Sequence, residues 1–378
     1  MESVIIKNKL NGAFYSGVVK RICFRFDEEK VHNFFVKTGK IVEGNIFSRK
    51  ITKMIFNYQN SCLEQKIFGI KFRNPLGLSA GFDKNAELIS AMEDVGFGFC
   101  EVGSVTAKPC KGNSGRRILR IPEKKSIWVN LGLNNNGADE ISSRLKGRKF
   151  GIPIGVNIAK TNCKETLEPE KGISDYVYSL KRFSERKVGN YFTINISCPN
   201  SYGGQPFSEP ELYDSLLREI KKLKISRPIL VKLSPDLEKN QLDKILNISE
   251  KHKIDGFVCS NLTKKNNSFK KGGMSGKEVS SKSNNLLSQV YKKTRRWKNA
   301  PVLIGVGGIF SAEDAYNKIK LGASLVQLIT GMIYQGPGVI SEINYGLTKL
   351  LKKDGFANIS EAVGSGYKKA RRKNGKYR

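Results

Sequence analysis

The sequence predicts an α/β fold: a (β/α)8 TIM barrel preceded by a small N-terminal helical extension. Three observations predict it. Eight short apolar runs recur between residues 67 and 345, helical stretches separate them, and polar residues gather where the runs end. Strands are expected at Pro75–Ser79, Phe99–Gly103, Ile154–Asn157, Tyr191–Asn195, Ile229–Lys232, Gly256–Ser260, Val302–Gly305 and Ser324–Leu328.

Ahead of the barrel, residues 13–26 have helical periodicity. Phe14, Val18, Ile22 and Phe26 recur every four residues beside Tyr15, Val19 and Cys23, while Lys20, Arg21 and Arg25 take the other side. Asp27 suits the N-cap of a second helix over 28–42, with Val31, Phe34, Phe35 and Ile41 apolar. Such a basic, amphipathic hairpin can dip into a bilayer or cap one end of a barrel, and the pattern allows both. Within the barrel, the Gly-, Asn- and Ser-rich stretches at 111–115, 200–204 and 266–276 read as loops. Beyond it, Lys368, Lys369, Arg371, Arg372, Lys373, Lys376 and Arg378 cluster in a basic end expected to be disordered. The resulting division is an extension at 1–50, a barrel at 51–360 and a tail at 361–378.

Composition narrows the function classes. The 378 residues carry 39% hydrophobic side chains, enough for a large core. A formal charge of +32 would suit nucleic acid or an anionic surface. The basic residues are nevertheless scattered (Lys7, Lys146, Lys149, Lys221, Lys264, Lys292), as expected of solvated helix faces, so no nucleic-acid partner is expected. Seven cysteines, an odd number without a C-x-x-C pair, argue against a disulfide framework, a zinc site or an iron–sulfur cluster, and favour a reducing intracellular compartment. Only two histidines are present, so no metal site is expected. No run of 18 apolar residues exists to span a membrane, and no signal peptide is expected.

The strand ends carry the chemistry. They supply Ala80-Gly81-Phe82-Asp83-Lys84, Gly103-Ser104, Asn157, Asn195 through Asn200, Lys232, Ser260-Asn261 and Gly305 through Gly308. A ring of Lys, Asn and Cys around one mouth suits a planar ligand rich in hydrogen-bonding groups. Gly307 and Gly308 end the seventh strand, Ser311 suits the cap of the next helix, and Thr330-Gly331 ends the eighth; backbone N–H groups of these loops form the usual phosphate cradle of this fold.

Seven segments give a more specific resemblance. GLSAGFDKN (77–85), EVGSVT (101–106), INISCPN (194–200), VKLSPD (231–236), SNLT (260–263), GGMSGK (272–277) and GVGGI (305–309) resemble the dihydroorotate dehydrogenase family, in the family's order. RFDEEKVHNFF (25–35) resembles the helical extension of its membrane-associated, quinone-dependent class. The resemblance implies FMN across the barrel mouth, in contact with Ala80, Gly81, Ser104, Asn157, Asn195 and Lys232. Ser260, Gly276, Gly308, Ile329 and Thr330 would complete its site. It implies that Lys84, Asn195, Asn200 and Asn261 grip dihydroorotate, with Asn130 or Asn134 adding a contact. Cys198 would be the general base that takes a proton beside the substrate carbonyl, as hydride leaves the adjacent carbon, in the oxidation to orotate that serves pyrimidine synthesis. His32 and Arg120 match the quinone tunnel, which implies a quinone partner and peripheral attachment to the cytoplasmic side of the cell membrane.

Three positions depart from the quinone-class pattern. Cys198 stands where that class has Ser, Val129 where the family has Asn, and Ile329 where Tyr is common. A cysteine base is the habit of the soluble class. A soluble enzyme reducing fumarate, or using an electron-transfer partner, therefore stays open here, as does an RNA-modifying flavoenzyme of the tRNA dihydrouridine synthase type.

Overall fold

The computed structural model describes residues 2–264, 269 and 271–367. Of the expected basic tail, the described part ends at Tyr367; Lys368 and the six basic residues after it lie outside the described residues.

The chain begins with α1 (Glu2–Phe14), which runs through a π-helical turn at Tyr15–Val19 into α2 (Lys20–Cys23). Asp27 caps α3 (Glu28–Glu43), its carboxylate accepting the N–H groups of Glu29 and Lys30 at 3.1 and 2.9 Å. Asn45 likewise caps α4 (Ile46–Phe56). The first helix thus starts well before residue 13, and the boundary expected at 50 falls inside α4. The four-residue apolar row divides differently from its appearance in sequence. Ile6, Leu10, Phe14, Val18, Ile22 and Phe26 are exposed. The side that meets the barrel is Tyr15, whose hydroxyl donates to the carbonyl of Ile333 at 2.7 Å, and Phe24, packed edge-on against Tyr334.

Charge pairs fasten the extension. Arg49 makes a two-pronged contact with the fully buried Asp94, at 2.7 and 3.1 Å, and Lys40 meets Glu87 at 2.8 Å. Lys53 meets the same carboxylate at 3.2 Å, and pairing to a buried carboxylate holds more firmly than an exposed pair.

A hairpin of β1 (Gln65–Ile67) and β2 (Ile70–Phe72) follows, and then the barrel opens with β3 (Leu76–Leu78), α5 (Ile89–Val95) and β4 (Phe99–Val105). Next come β5 (Ile118–Ile121), β6 (Ser126–Val129), α6 (Gly137–Leu145), β7 (Ile154–Ile158), α7 (Pro169–Glu185), β8 (Tyr191–Asn195), α8 (Pro210–Lys222) and β9 (Ile229–Leu233). The described chain continues with α9 (Lys239–Lys251), β10 (Gly256–Cys259), β11 (Gly273–Gly276), α10 (Lys277–Thr294), β12 (Val302–Val306), α11 (Ala312–Lys320), β13 (Leu325–Leu328), α12 (Thr330–Gln335), α13 (Gly338–Asp354) and α14 (Ile359–Ala362).

Strands β3, β4, β7, β8, β9, β10, β12 and β13 close into an all-parallel barrel. They are the eight expected strands, with ends moved by a residue or two. Ser311 caps α11 as expected, its Oγ accepting the N–H of Asp314. The hairpin plugs the N-terminal end. Phe72 packs edge-on against Phe99 within a cluster that includes Tyr191, Leu230 and Ile304. Gly155 leaves room for that plug, since a Cβ there would lie 2.2 Å from the Tyr191 ring. Sealing one end leaves the C-terminal mouth as the face for a site.

Beside that mouth stands a small antiparallel sheet, β11-β6-β5, which the sequence reading did not contain. Gly276 ends it at φ +80°, with no space for a Cβ against the Lys125 carbonyl. The loop expected over 266–276 is therefore a strand at its end, while residues 265–268 and 270 lie outside the described residues.

Candidate active site

Below the mouth, a buried polar layer sits on the apolar plug. Glu101 on β4, wholly buried, accepts hydrogen bonds from Asn157 (2.8 Å), Gln327 (3.0 Å), and the hydroxyls of Tyr191 and Thr193 (both 3.2 Å). Such satisfaction is what makes a buried carboxylate tolerable. Asn157 in turn meets Ser104, and Asn195 donates to the Ser104 hydroxyl at 2.9 Å. Lys232 lies beside Asn195 in the β8–β9 register, nearly wholly buried, and has no hydrogen-bond acceptor among the described residues. Burial holds its pKa below the usual lysine value, and the Glu101 carboxylate pulls it back up.

Above this layer lies a cavity of about 490 Å³. Its walls include Ala80, Gly81, Ser104, Asn195, Lys232 and Ser260 at the strand ends, with Gly276, Gly308, Ile329 and Thr330 at one side. Lys84, Asn134, Cys198, Asn200 and Asn261 face the same space, and so do His32 and Arg120. Asn157 is one layer down, reaching the cavity only through Ser104. Asn130 is not brought there. Its side-chain oxygen accepts the Asn113 amide at 2.9 Å, and its neighbours Val129 and Leu131 line the cavity in its place. Adjacent residues of an extended segment point to opposite sides, so an Asn one position along does not replace the missing one.

The asparagines fall into two sets. Asn261 is engaged by the protein: its amide donates to the Ser197 carbonyl at 2.9 Å and its oxygen accepts the Leu262 N–H at 2.9 Å. By contrast the side-chain oxygens of Asn134 and Asn200 are buried with no hydrogen-bond partner among the described residues. Two unpaired buried acceptors on residues that line one cavity suit N–H donors from a ligand. Lys84, half-buried, has no acceptor for its ammonium among the described residues, and burial lowers its pKa to about 8.

Cys198 stands on the turn after β8. Burial pushes its thiol pKa up. The backbone N–H of Asn200, then Lys232, Lys160 and the N–H of Ser201 act in the opposite sense. Sequence reasoning missed two members of this surround, Glu101 and Lys160. Each is a single charge inside or just after an apolar strand, which is the signal that would have found them.

The cavity extends from the strand ends to the helices of the extension, where Tyr15, Val31, Phe35 and Val42 line it. Burial and the nearby Lys84 hold His32 at a pKa of about 3, so its imidazole is neutral, and its ring stands edge-on to Phe82 at 4.9 Å. Arg120 is clamped to the turn between α2 and α3. Its guanidinium donates to the carbonyls of Cys23 (2.8 Å) and Phe26 and lies over the Phe24 ring.

Comparison with known proteins adds the following. A family model described as dihydroorotate dehydrogenase matches residues 62–351. The chain is 38% identical to the dihydroorotate dehydrogenase (quinone) of Christiangramia forsetii, over 90% of this chain and 99% of that one. It is 41% identical to the enzyme of the same name from Sulfurimonas denitrificans, over 81% and 86%. A crystal structure of the DHODH of Eimeria tenella in complex with ferulenol superposes with a TM-score of 0.78 at 27% identity, covering 91% of this chain and 96% of that chain.

Proposed function

The chain belongs to the dihydroorotate dehydrogenase family, and we propose from that premise that it oxidises dihydroorotate to orotate with FMN and passes the electrons to a quinone, in the making of pyrimidines. One observation carries the reading. A single cavity joins the polar strand ends around Cys198 and Lys232 to an apolar opening between the helices of the extension. A polar pyrimidine and an apolar electron acceptor can then be served by one centre between them.

The residues present fit FMN. Among the described residues, the buried side-chain oxygen of Gln327, which lines the cavity, has no hydrogen-bond partner, the Lys232 ammonium has no acceptor, and α12 starts at Thr330 without a side-chain cap. Uncapped N–H groups suit a phosphate. When bound, FMN supplies the hydride acceptor that no side chain of this protein can replace. Ala80, Gly81, Ser104, Asn195 and Ser260 would hold it along the mouth, with Gly276, Gly308, Ile329 and Thr330 at the phosphate end.

The protein's own groups do the rest. Lys84 meets the substrate carboxylate, and the oxygens of Asn134 and Asn200 accept the pyrimidine N–H groups. Asn261 and Asn195 brace one another through a 3.2 Å hydrogen bond, which fixes the amides that face the ligand. As hydride leaves the neighbouring carbon, the Cys198 thiolate takes the substrate proton and becomes a thiol.

The Lys84 ammonium has a measurable signature. Because its pKa is lowered to about 8, it is charged below that pH and neutral above. Orotate affinity, followed by titrating the flavin spectrum, is expected to be flat below pH 8 and to fall by about tenfold per unit above it. Lys84→Met should bind orotate weakly with no such break; a break kept in the variant would assign the titration elsewhere.

The exposed apolar row of α1 and α2, with Ile41, Ile46, Phe47 and Met54 on α3 and α4, supports peripheral seating on a membrane. No helix among the described residues is long and apolar enough to cross one. Anaerobic mixing tests the whole reading. Dihydroorotate should bleach the yellow holoenzyme, and menaquinone or ubiquinone, not fumarate, should restore the colour. Restoration by fumarate alone would overturn the acceptor, and a protein that cannot be loaded with FMN would overturn the reaction.

A further inference from the structure

Lys160 stands two residues beyond the end of β7 and is almost wholly buried. Its ammonium donates to the carbonyl of Tyr202 at 2.9 Å and to the Thr166 hydroxyl at 3.2 Å. Both acceptors are neutral, and Lys160 forms no ion pair among the described residues. The nearest carboxylate in play is Asp175 on α7, which is already committed to the N–H and hydroxyl of Thr161 (2.9 and 2.5 Å) and the N–H of Ala107. A buried cation without a paired anion is costly to keep.

The missing anion is one residue class away. Lys160 and Cys198 line the same small cavity, together with Tyr176, Asn195 and Gln205. The carbonyl that Lys160 holds belongs to the loop that runs on from Cys198 through Asn200 and Tyr202. The same ammonium therefore holds that loop and places a charge beside its sulfur.

We propose that Lys160 is a positioning residue for proton abstraction: it anchors the loop that follows Cys198 and, with Lys232, supplies the positive field in which the Cys198 thiol ionises. The proposal rests on Cys198 being the base. Among the described residues, the following charged and titratable groups act on the pair. Lys232 comes from β9 and Lys160 from just beyond β7, and both favour the thiolate. Tyr176 on α7 is kept a neutral phenol by its burial. Cys163, Asp175 and Cys198 all favour the charged form of Lys160 against burial. Once Cys198 has lost its proton, the thiolate is the counter-charge of two buried lysines. After taking the substrate proton it is neutral, and both ammonium groups lose that partner until the proton leaves.

The test compares the holoenzyme with Lys160→Gln, which can still donate to the Tyr202 carbonyl, and Lys160→Met, which cannot. Iodoacetamide alkylation of Cys198, resolved from the other cysteines by peptide mass spectrometry, is followed across pH. Retained FMN absorbance confirms folding. Both variants are expected to raise the alkylation midpoint by about one pH unit or more. The rising limb of anaerobic flavin reduction by dihydroorotate should move with it. An unmoved midpoint overturns the proposal. So does a reduction rate that falls equally at all pH values in Lys160→Met alone, which would leave a loop anchor without an electrostatic role. A moved midpoint together with undiminished flavin reduction in Cys198→Ala would instead keep Lys160 as the group that ionises Cys198 and remove Cys198 as the base.

Discussion

Cys198→Ala is expected to slow anaerobic reduction of the bound flavin by dihydroorotate by roughly 10²–10⁴-fold, the usual worth of a positioned base. FMN should stay bound and its spectrum unchanged. The contacts that suit the cofactor come from the strand ends and from α12, and Cys198 supplies none of them. Four groups favour ionisation of the thiol against its burial: the Asn200 and Ser201 N–H groups and two buried lysines. Alanine leaves those influences with nothing to act on. Serine should recover part of the rate, displaced to higher pH, because a hydroxyl ionises far above a thiol. Stopped-flow loss of flavin absorbance decides the matter. A Cys198→Ala enzyme that bleaches at the parental rate would move the base elsewhere in the cavity.

Removing residues 1–59 is expected to reduce quinone turnover to background and to leave dihydroorotate-driven bleaching in place. The two halves of the reaction draw on different parts of the wall. Lys84, Asn134, Asn200 and Cys198 stand on barrel segments, whereas Tyr15, Val31, His32, Phe35 and Val42 come from the extension. The truncated protein exposes Leu88, Ala91 and Met92 on and before α5, so it should be handled in mild detergent. Bleaching by dihydroorotate and recolouring by a quinone, measured on one sample, separate the outcomes. Quinone turnover that survives the truncation would place the acceptor on the barrel itself.

The barrel was legible because each of its strands is an apolar run closed by a polar or small residue, and the pattern repeats eight times. The β5–β6–β11 sheet was not, since β11 pairs with β6 across more than a hundred residues and the short run GMSG has no periodicity to read. Local patterning records which side of a helix is apolar, not what covers it. Phe14, Val18, Ile22 and Phe26 form an apolar row that suits a bilayer or a barrel end alike, and the barrel takes the Tyr15 and Phe24 side. Among site residues, the reading brought Cys198, Lys84, Asn200 and Lys232 to one cavity through their motifs. Asn130 and Asn134 could be told apart only by the direction of their side chains. Arg120 was legible as a cavity residue, but its grip on the Cys23 and Phe26 carbonyls depends on a turn that is distant in sequence.

The outward row from Ile6 to Phe26 makes heat resistance depend on what is dissolved beside the protein. Any amphiphile that settles on those side chains favours the folded helices over the unravelled chain. The melting temperature should therefore climb with detergent or vesicle concentration as a binding isotherm climbs. A thermal-shift series against lipid would then serve as an affinity measurement for that outward row.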